Sequence, residues 1–286
     1  MSGHILFPTD FSERSLGALP HALSFAKAFN SEIHALYGSD HKHDAEAYKV
    51  HSQTIKDIAT NKGVTLQITN ISGEDVAELI VDEAKMNPPI VAVMATHGRA
   101  PLSKWMLGSI TEQVLRYIQI PVVLVTPHAE KRVWEGIRTI LVGIDFSLES
   151  HHALAWASLV AQKCNARVHV MHTIESGVFA STPFEFPSLT HLVPNAETTV
   201  NEAFKNFDSN IQFSTLPDHH VAHGIAHKEL IRLAGEINAD MIVIGPHGSG
   251  GMKDFLIGST TDRVVRTASC PVLVAKTAPD KGLASI

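Results

Sequence analysis

The sequence has little cysteine and no long apolar run. Its two cysteines, Cys164 and Cys270, are too few for a framework of disulfides. No apolar stretch reaches the ~18 residues needed to cross a bilayer. The first ten residues, MSGHILFPTD, lack the basic start and the apolar stretch of a signal peptide. Together these absences predict a cytoplasmic protein with no membrane span.

An excess of positive charge is also missing. The formal net charge is −6 at pH 7, which provides no general attraction to nucleic acid or to an anionic membrane surface. Hydrophobic residues make up 44% of the chain and charged residues 18%, values typical of a globular protein. At 286 residues, the chain is long for a single core and long enough for two domains.

Two familiar phosphate-binding motifs are absent as well. No Gly-Lys-Ser or Gly-Lys-Thr occurs, so the chain has no P-loop. The segment GPHGSG, residues 245–250, departs from the dinucleotide-binding pattern and follows a late strand rather than the first. Any phosphate site in this chain must therefore be built in another way.

What the sequence does contain is an internal repeat. One block returns after 135 residues and carries Asp-Phe-Ser in register, at 10–12 and 145–147. A second block returns after 150 residues. The blocks are residues 4–36 with 139–171, and residues 95–125 with 245–275. A repeat of this length indicates two copies of one structural unit.

The repeat predicts two domains, residues 1–128 and 137–286, with the polar stretch 127–136 as the linker. The two offsets differ by 15 residues, so the second half carries an insertion. We place it after Glu175, in a segment rich in Pro, Ser and Thr that is typical of a loop.

Within each half, short apolar runs alternate with segments of helical periodicity. The runs HILFPTD and EIHALYG predict strands, and SLGALPHALSFAKAF predicts a helix with Pro20 near its first turn. A later helix is predicted to start at Ser109 as its N-cap. This alternation predicts an α/β fold of two tandem, doubly wound parallel sheets.

Glycines occur where a ligand would bind in such a fold. Ligands of doubly wound sheets lie beyond the carboxyl ends of the strands. Gly245 and Gly248 follow the apolar run MIVIG there and would let the backbone turn sharply and approach a ligand. Gly258, Ser259 and Thr260 then open a helix, whose N-terminal amides suit phosphate.

A structural explanation of the same residues stays open. The glycines would then only make turns, and Ser259 would only cap a helix. Against this, the first half repeats Gly98, Gly108 and Ser109 in register. Two copies favour a ligand site.

The pattern Gly-x2-Gly-x9-Gly-Ser, together with the strand-terminal Asp of PTDFS, resembles the universal stress protein family over nearly the whole chain, as two tandem domains. The resemblance implies a Rossmann-like, adenine nucleotide α-hydrolase-like fold with a five-stranded parallel sheet in each domain. It also implies ATP as a regulatory ligand in the cytoplasmic stress response, with Mg²⁺ or Mn²⁺ as the divalent ion. Hydrolysis would be weak or absent, as in a binding protein.

The resemblance assigns residues by position. In the second half, the triphosphate and ribose positions are Gly245, His247, Gly248, Gly258, Ser259 and Thr260, while Asp145 faces the adenine and Thr173 offers backbone groups to it. In the first half, the matching residues are Pro8, Thr9, Asp10, Gly38, His97, Gly98, Gly108, Ser109 and Ile110.

One departure from the family pattern concerns Ala95, which stands at the position of the first glycine. Its methyl group would crowd the ribose or block a positive φ angle. In the second half, VGIDFS keeps the Asp but lacks the Pro-Thr pair. The alternative reading is an interaction protein with degenerate sites, whose insertion takes a partner or an apolar ligand through Phe179, Phe184 and Phe186.

The last strands of the halves, 121–125 and 271–275, resemble the edge through which members of the family dimerise. An exposed apolar edge invites association. We therefore expect the two domains to pair within one chain through these strands, and a homodimer stays open.

A histidine cluster supports a further alternative. His219, His220, His223 and His227 lie within nine residues and could form a zinc site for a metal-dependent hydrolase. No close ligand motif such as H-E-x-x-H accompanies them. Polar surface residues around a strand end would produce the same pattern.

Overall fold

The computed structural model describes residues 3–38, 45–97, 107–129, 136–175, 196–209, 211–248, 257–280 and 282–283. Gly98 and the insertion after Glu175, with its three phenylalanines, lie outside these residues. The first half contains β1 (His4–Thr9), α1 (Glu13–Leu16), α2 (Leu19–Ala28), β2 (Glu32–Gly38), α3 (Ala45–Asn61), β3 (Leu66–Ile71), α4 (Val76–Met86), β4 (Val91–Ala95), α5 (Ser109–Tyr117) and β5 (Val122–Val125). The second contains β6 (Thr139–Ile144), α6 (Leu148–Cys164), β7 (Arg167–Ile174), α7 (Ala196–Asp208), β8 (Asp218–His223), α8 (Ala226–Glu236), β9 (Met241–Ile244), α9 (Ser259–Thr267) and β10 (Val272–Val274).

The strands of the described residues form one sheet, in the order β3-β2-β1-β4-β5-β10-β9-β6-β7-β8. Each half contributes five parallel strands, and β5 and β10 join the halves by antiparallel pairing, with Leu273 opposite Val123. The strand order reverses between β1 and β4, and again between β6 and β9. The predicted α/β fold with two doubly wound, five-stranded parallel sheets is confirmed, and the two sheets are continuous.

Helices cover both faces of the sheet. Successive residues of a strand point to opposite faces, so each buried strand contributes apolar side chains to both layers of the core. Ile5 and Phe7 of β1 belong to one apolar core, which includes residues of α2, α3, α6 and α7. Leu6 belongs to the other core, which includes residues of α4, α5, α8 and α9. Each core layer contains residues of both halves.

The helix predicted after β1 is interrupted. It forms α1 and α2, with Pro20 in the first turn of the second. Proline has no N–H to donate to the carbonyl four residues earlier, so a continuous helix would leave Leu16 O without its bond. The chain turns at Gly17 and Ala18 and restarts.

Polar contacts accompany the strand pairing between the halves. The buried hydroxyl of Thr126, directly after β5, donates to Ala268 O at the end of α9, at 2.9 Å. Within the second half, the indole N–H of Trp156 in α6 donates to Thr277 O at 2.8 Å. Lys276, two residues after β10, donates through Nζ to Leu115 O in the last turn of α5, where helix carbonyls lack intrahelical partners.

Candidate functional site

A cavity of about 450 Å³ lies at the carboxyl ends of β6, β7 and β9, beside the point where the strand order reverses. This is the place where doubly wound sheets bind ligands. The structure brings every residue predicted for the second half to its wall: Asp145, Thr173, Gly245, His247, Gly248, Gly258, Ser259 and Thr260. Apolar side chains, Ile144, Met171 and Leu230 among them, complete the lining.

The Asp-Phe-Ser block forms a tight turn between β6 and α6. Oδ1 of Asp145 accepts hydrogen bonds from the N–H of Ser147 at 3.1 Å and from its hydroxyl at 2.5 Å. The Ser147 hydroxyl also accepts from Ser150 N as the N-cap of α6. Phe146 between them has a φ of 63°, an uncommon conformation for a residue with a bulky side chain.

The first half repeats this turn. Oδ1 of Asp10 accepts from Ser12 N at 3.0 Å, and Ser12 caps α1. Phe11 has a φ of 59° and stacks on Tyr37 with their ring centroids 4.5 Å apart. The recurrence of Asp-Phe-Ser in the sequence therefore reflects a recurring strand-to-helix turn that directs the carboxylate to the end of the strand.

Close packing accounts for the second-half glycines better than positive φ angles do. None of Gly245, Gly248 and Gly258 has a φ in the left-handed region. A Cβ at Gly245 would lie 3.0 Å from the carbonyl carbon and from Cβ of Glu149, and one at Gly248 would lie 2.7 Å from Oδ2 of Asp145. Glycine is therefore needed at these positions because the backbone passes close to neighbouring groups, and not because the chain turns through a positive φ angle.

Ala95, the last residue of β4, corresponds in the repeat to Gly245, which directly follows β9. The Ala95 side chain is buried in the core, with 6% exposure. The first half therefore accommodates a methyl group where the start of α6 would obstruct one in the second half. The positive φ angle considered for this position is not needed, because Gly245 itself has none.

The N-termini of α9 and α5 have no side-chain cap. Gly258 is the N-cap residue of α9 and Gly108 that of α5, and neither helix has a side-chain capping bond. The prediction that Ser109 is the N-cap was wrong, because it is the first helical residue, and Ser259 holds the same place. A helix start without a capping side chain presents backbone N–H groups to a ligand.

The glycine loop and the helix start are tied to the preceding strand. Gly258 N donates to Pro246 O at 2.7 Å, and the buried hydroxyl of Thr261 donates to Gly245 O at 2.7 Å. In the first half, Thr111 donates to Ala95 O in the same way, at 3.1 Å. These threonines were missed by the sequence analysis, although both occur in register within the second repeated block.

The two repeated histidines differ in their partners. Nδ1 of His97 lies 2.8 Å from the Thr96 hydroxyl. His247 follows Pro246, which has no such group, and Nδ1 of His247 has no hydrogen-bond partner among the described residues. Burial lowers the pKa of His247 and the nearby Lys276 ammonium lowers it further, while Glu149 opposes both. A ligand with a polar group could satisfy this nitrogen.

The other first-half residues occupy matching places. Pro8 and Thr9 end β1, and the Thr9 hydroxyl bonds to Ser15 Oγ at 2.9 Å. Ile110 lies in the first turn of α5 with 36% exposure. A Cβ at Gly38 would lie 2.5 Å from Cγ1 of Val76 in α4. In the second half the residues at these two positions are Thr173 and Ala226. The strand residue is therefore larger there than Gly38, and the helix residue is smaller than Val76.

The side chains of the histidine cluster do not gather around a common point. His219 pairs with Asp208 at 2.5 Å and stacks on Phe204, whereas Nε2 of His220 lies 3.0 Å from Nδ1 of His169. Across the described residues, no group of three His, Cys, Asp or Glu side chains could hold a metal ion. The zinc alternative therefore finds no ligand set in that part of the chain.

Glu175 is a cavity residue that the sequence analysis did not single out. It directly follows β7, and its Oε1 accepts from Ala226 N, the first amide of α8, at 3.1 Å. The N-cap residue of α8 is Ile225, which cannot provide a side-chain cap. The sequence contains one signal for this role of Glu175: the N-cap position that Asp75 occupies in the first half is held by the apolar Ile225 in the second half.

The comparisons with known proteins agree with the repeat. Residues 1–126 and 136–276 each match the model of the universal stress protein family. Universal stress protein A homolog 1 of Coxiella burnetii is 32% identical over 135 residues, 47% of this chain and 92% of that protein. A universal stress protein of Mycolicibacterium smegmatis is 28% identical over 218 residues, 75% of this chain and 70% of that protein.

A solved structure extends the likeness to the whole fold. The universal stress protein from Archaeoglobus fulgidus superposes with a TM-score of 0.71 at 23% identity, and 98% of each chain is covered. Among the helices of the described residues, none combines the length and the apolar character that crossing a bilayer requires.

Proposed function

The chain belongs to the universal stress protein family, and on that premise we propose that its second half binds ATP as a regulatory ligand in a cytoplasmic stress response. The proposal is carried by one observation: the start of α9, without a capping side chain, and the loop after β9 both face a single cavity of about 450 Å³. Backbone amides and the positive end of a helix favour a phosphate group. The volume falls within the range of small-molecule sites.

Hydroxyl groups and an imidazole would complete the phosphate end. Ser259 is exposed at the first helical position and Thr260 follows it, so neither hydroxyl is needed as an N-cap. The Nδ1 atom of His247, which has no partner among the described residues, adds a polar contact. We propose binding with weak or no hydrolysis.

The divalent ion of the proposal, Mg²⁺ or Mn²⁺, would enter with the nucleotide. The described residues gather no three-residue ligand set, and Oδ1 of Asp145 is already engaged by Ser147. Magnesium in nucleotide sites is held largely by phosphate oxygens and water. The first-half residues form the second candidate site, and the domain limits 1–128 and 137–286, with pairing between the domains, remain part of the proposal.

Equilibrium dialysis with ATP tests the proposal on the full chain. A Cβ at Gly258 would lie 3.4 Å from His247 Cα and from Pro246 O, so Gly258→Val pushes its branches into the loop and should abolish binding in the second half. Gly108→Val is the matched variant of the first half, since its Cβ would lie 3.3 Å from Thr96 O. Absence of ATP binding by the wild-type protein, or equal binding by wild type and Gly258→Val, refutes the proposal.

The alternative is a stress protein with degenerate nucleotide sites that binds a partner or an apolar ligand. It is favoured by the apolar part of the cavity wall, which Met171 and Leu230 help to form. A native mass spectrum of the purified protein separates the two. Co-purified adenine nucleotide supports the first function, whereas a lipid-like or other apolar ligand supports the second.

A further inference from the structure

Glu175 caps the N-terminus of α8, although it lies far from that helix in the sequence. Its carboxylate accepts from Ala226 N at 3.1 Å, although the two residues are 51 positions apart in the chain. The side chain also contributes to the cavity wall. It thereby connects the end of β7 with the start of α8 and keeps one negative charge beside the cavity.

In the first half, the matching helix α4 is capped by its own N-cap residue. Asp75, the N-cap residue of α4, accepts from Glu78 N at 3.0 Å and needs no help from a neighbouring strand. In the second half the N-cap residue is Ile225, and the carboxylate comes from Glu175 instead. Capping alone could have been served by an Asp at 225. The arrangement found in the second half moves the charge into the cavity.

The position of Glu175 within the sheet indicates which part of a ligand it meets. The strands β9, β6 and β7 are neighbours in that order, and adjacent strands lie about 4.8 Å apart. Glu175 therefore lies about two strand spacings, roughly 10 Å, from the amide-rich loop after β9. A nucleotide with its phosphates at that loop would extend its base toward β7.

The two ends of the cavity also differ in chemistry. The end at β9 and α9 presents backbone N–H groups, with the Asp145 carboxylate packed beside Gly248, whereas the end at β7 presents the carboxylate of Glu175. A carboxylate accepts about four hydrogen bonds and donates none when ionised. Glu175 can therefore accept from Ala226 N and from a ligand at the same time.

We propose that Glu175 is a specificity-determining residue that accepts a hydrogen bond from the exocyclic amino group of the ligand's base. The inference rests on the proposed nucleotide-binding function. Adenine carries a donor at this position, whereas guanine and hypoxanthine carry a carbonyl oxygen. A carboxylate favours the first and repels the second, because two acceptors then face each other.

The test compares ATP with purine riboside triphosphate, which lacks the amino group, by equilibrium dialysis on the full chain. We expect the wild-type protein to prefer ATP by about tenfold or more, as for a hydrogen bond to a charged group. In Glu175→Gln the side-chain oxygen still caps Ala226 N, but the amide group turned to the ligand is a donor. The preference for ATP should fall below about threefold.

Asp75→Asn is the matched control, because it makes the same exchange at the cap of α4 and should leave the base preference unchanged. Failure of the wild-type protein to bind either nucleotide refutes the proposed function itself. If ATP binds but its preference over purine riboside triphosphate is the same in wild type and Glu175→Gln, the role of Glu175 is overturned. It is also overturned if Glu175→Gln changes only the discrimination between ATP and 2′-deoxy-ATP, because the carboxylate would then recognise the sugar.

Discussion

Asp145 fills the space into which a side chain at residue 248 would project: a Cβ built on Gly248 would lie 2.7 Å from Oδ2 of Asp145. The carboxylate has little freedom to move aside, because its Oδ1 holds the N–H and the hydroxyl of Ser147. The turn after β6 and the glycine loop after β9 are thus one packed unit, and the second glycine of the motif is explained by its neighbour.

Gly248→Ala should therefore disturb both parts of the site. The added methyl group either displaces the Asp145 carboxylate from Ser147 or shifts the loop, so we expect a loss of about 1–3 kcal/mol in the free energy of unfolding and weaker ATP binding. Urea unfolding and dialysis measure these. The control is Gly235→Ala in α8, where a Cβ would meet nothing within 4 Å and alanine should stabilise the helix by about 0.5–1 kcal/mol. Equal stability of the two variants would contradict the packing argument.

Thr126→Val tests a contact between the halves. The side chain is 1% exposed, and its hydroxyl donates to Ala268 O at 2.9 Å and accepts from Ala129 N at 3.1 Å. Valine keeps the shape but removes both bonds, so we expect a loss of about 1–3 kcal/mol in urea unfolding.

The comparison for Thr126→Val is Thr267→Val, whose hydroxyl bonds to Arg263 O within α9. That bond is exposed to water, so its loss should cost no more than about 0.5 kcal/mol. If both valine variants lose the same stability, the buried contact at Thr126 is not what stabilises the junction.

The pH dependence of stability should show the burial of His21. Burial lowers the pKa of His21 to about 4, whereas an unfolded chain titrates near ~6.5. Between these values the unfolded state binds more protons than the folded state, so stability falls as the pH falls. The contribution of His21 between pH 7.5 and pH 5 is about 2 kcal/mol.

His21→Leu should lose this part of the pH dependence, as measured by urea unfolding at both pH values. Burial also lowers the pKa of other histidines, including His4 and His152, so the informative quantity is the difference between variant and wild type. A His21→Leu protein with an unchanged slope would contradict the assignment.

The repeat made much of the fold predictable. Apolar runs such as MIVIG and the strand-terminal Asp10 and Asp145 located the ends of strands, and the alternation with helices indicated two doubly wound parallel sheets. The gathering of the second-half motif residues in one cavity was predictable for the same reason, because carboxyl ends of parallel strands meet at one edge.

The remaining features depend on neighbours that are remote in the chain. A side chain at residue 248 would meet the Asp145 carboxylate, and the helix that begins after Ile225 receives its capping oxygen from Glu175. Periodicity contains no information on such contacts. The break between α1 and α2 could have been found, since Pro20 has no N–H for a continuing helix.

The pairing of β5 with β10 determines how a second copy could approach. A chain built from two separate five-stranded sheets would have four open edges, but the continuous sheet of the described residues ends at β3 and β8 only. Both of these outer strands carry exposed polar side chains, Gln67 and Asn70 in one and His219 and His223 in the other. The apolar strands β5 and β10 pair with each other within one molecule, so assembly of two copies through these strands would first require that pairing to be broken.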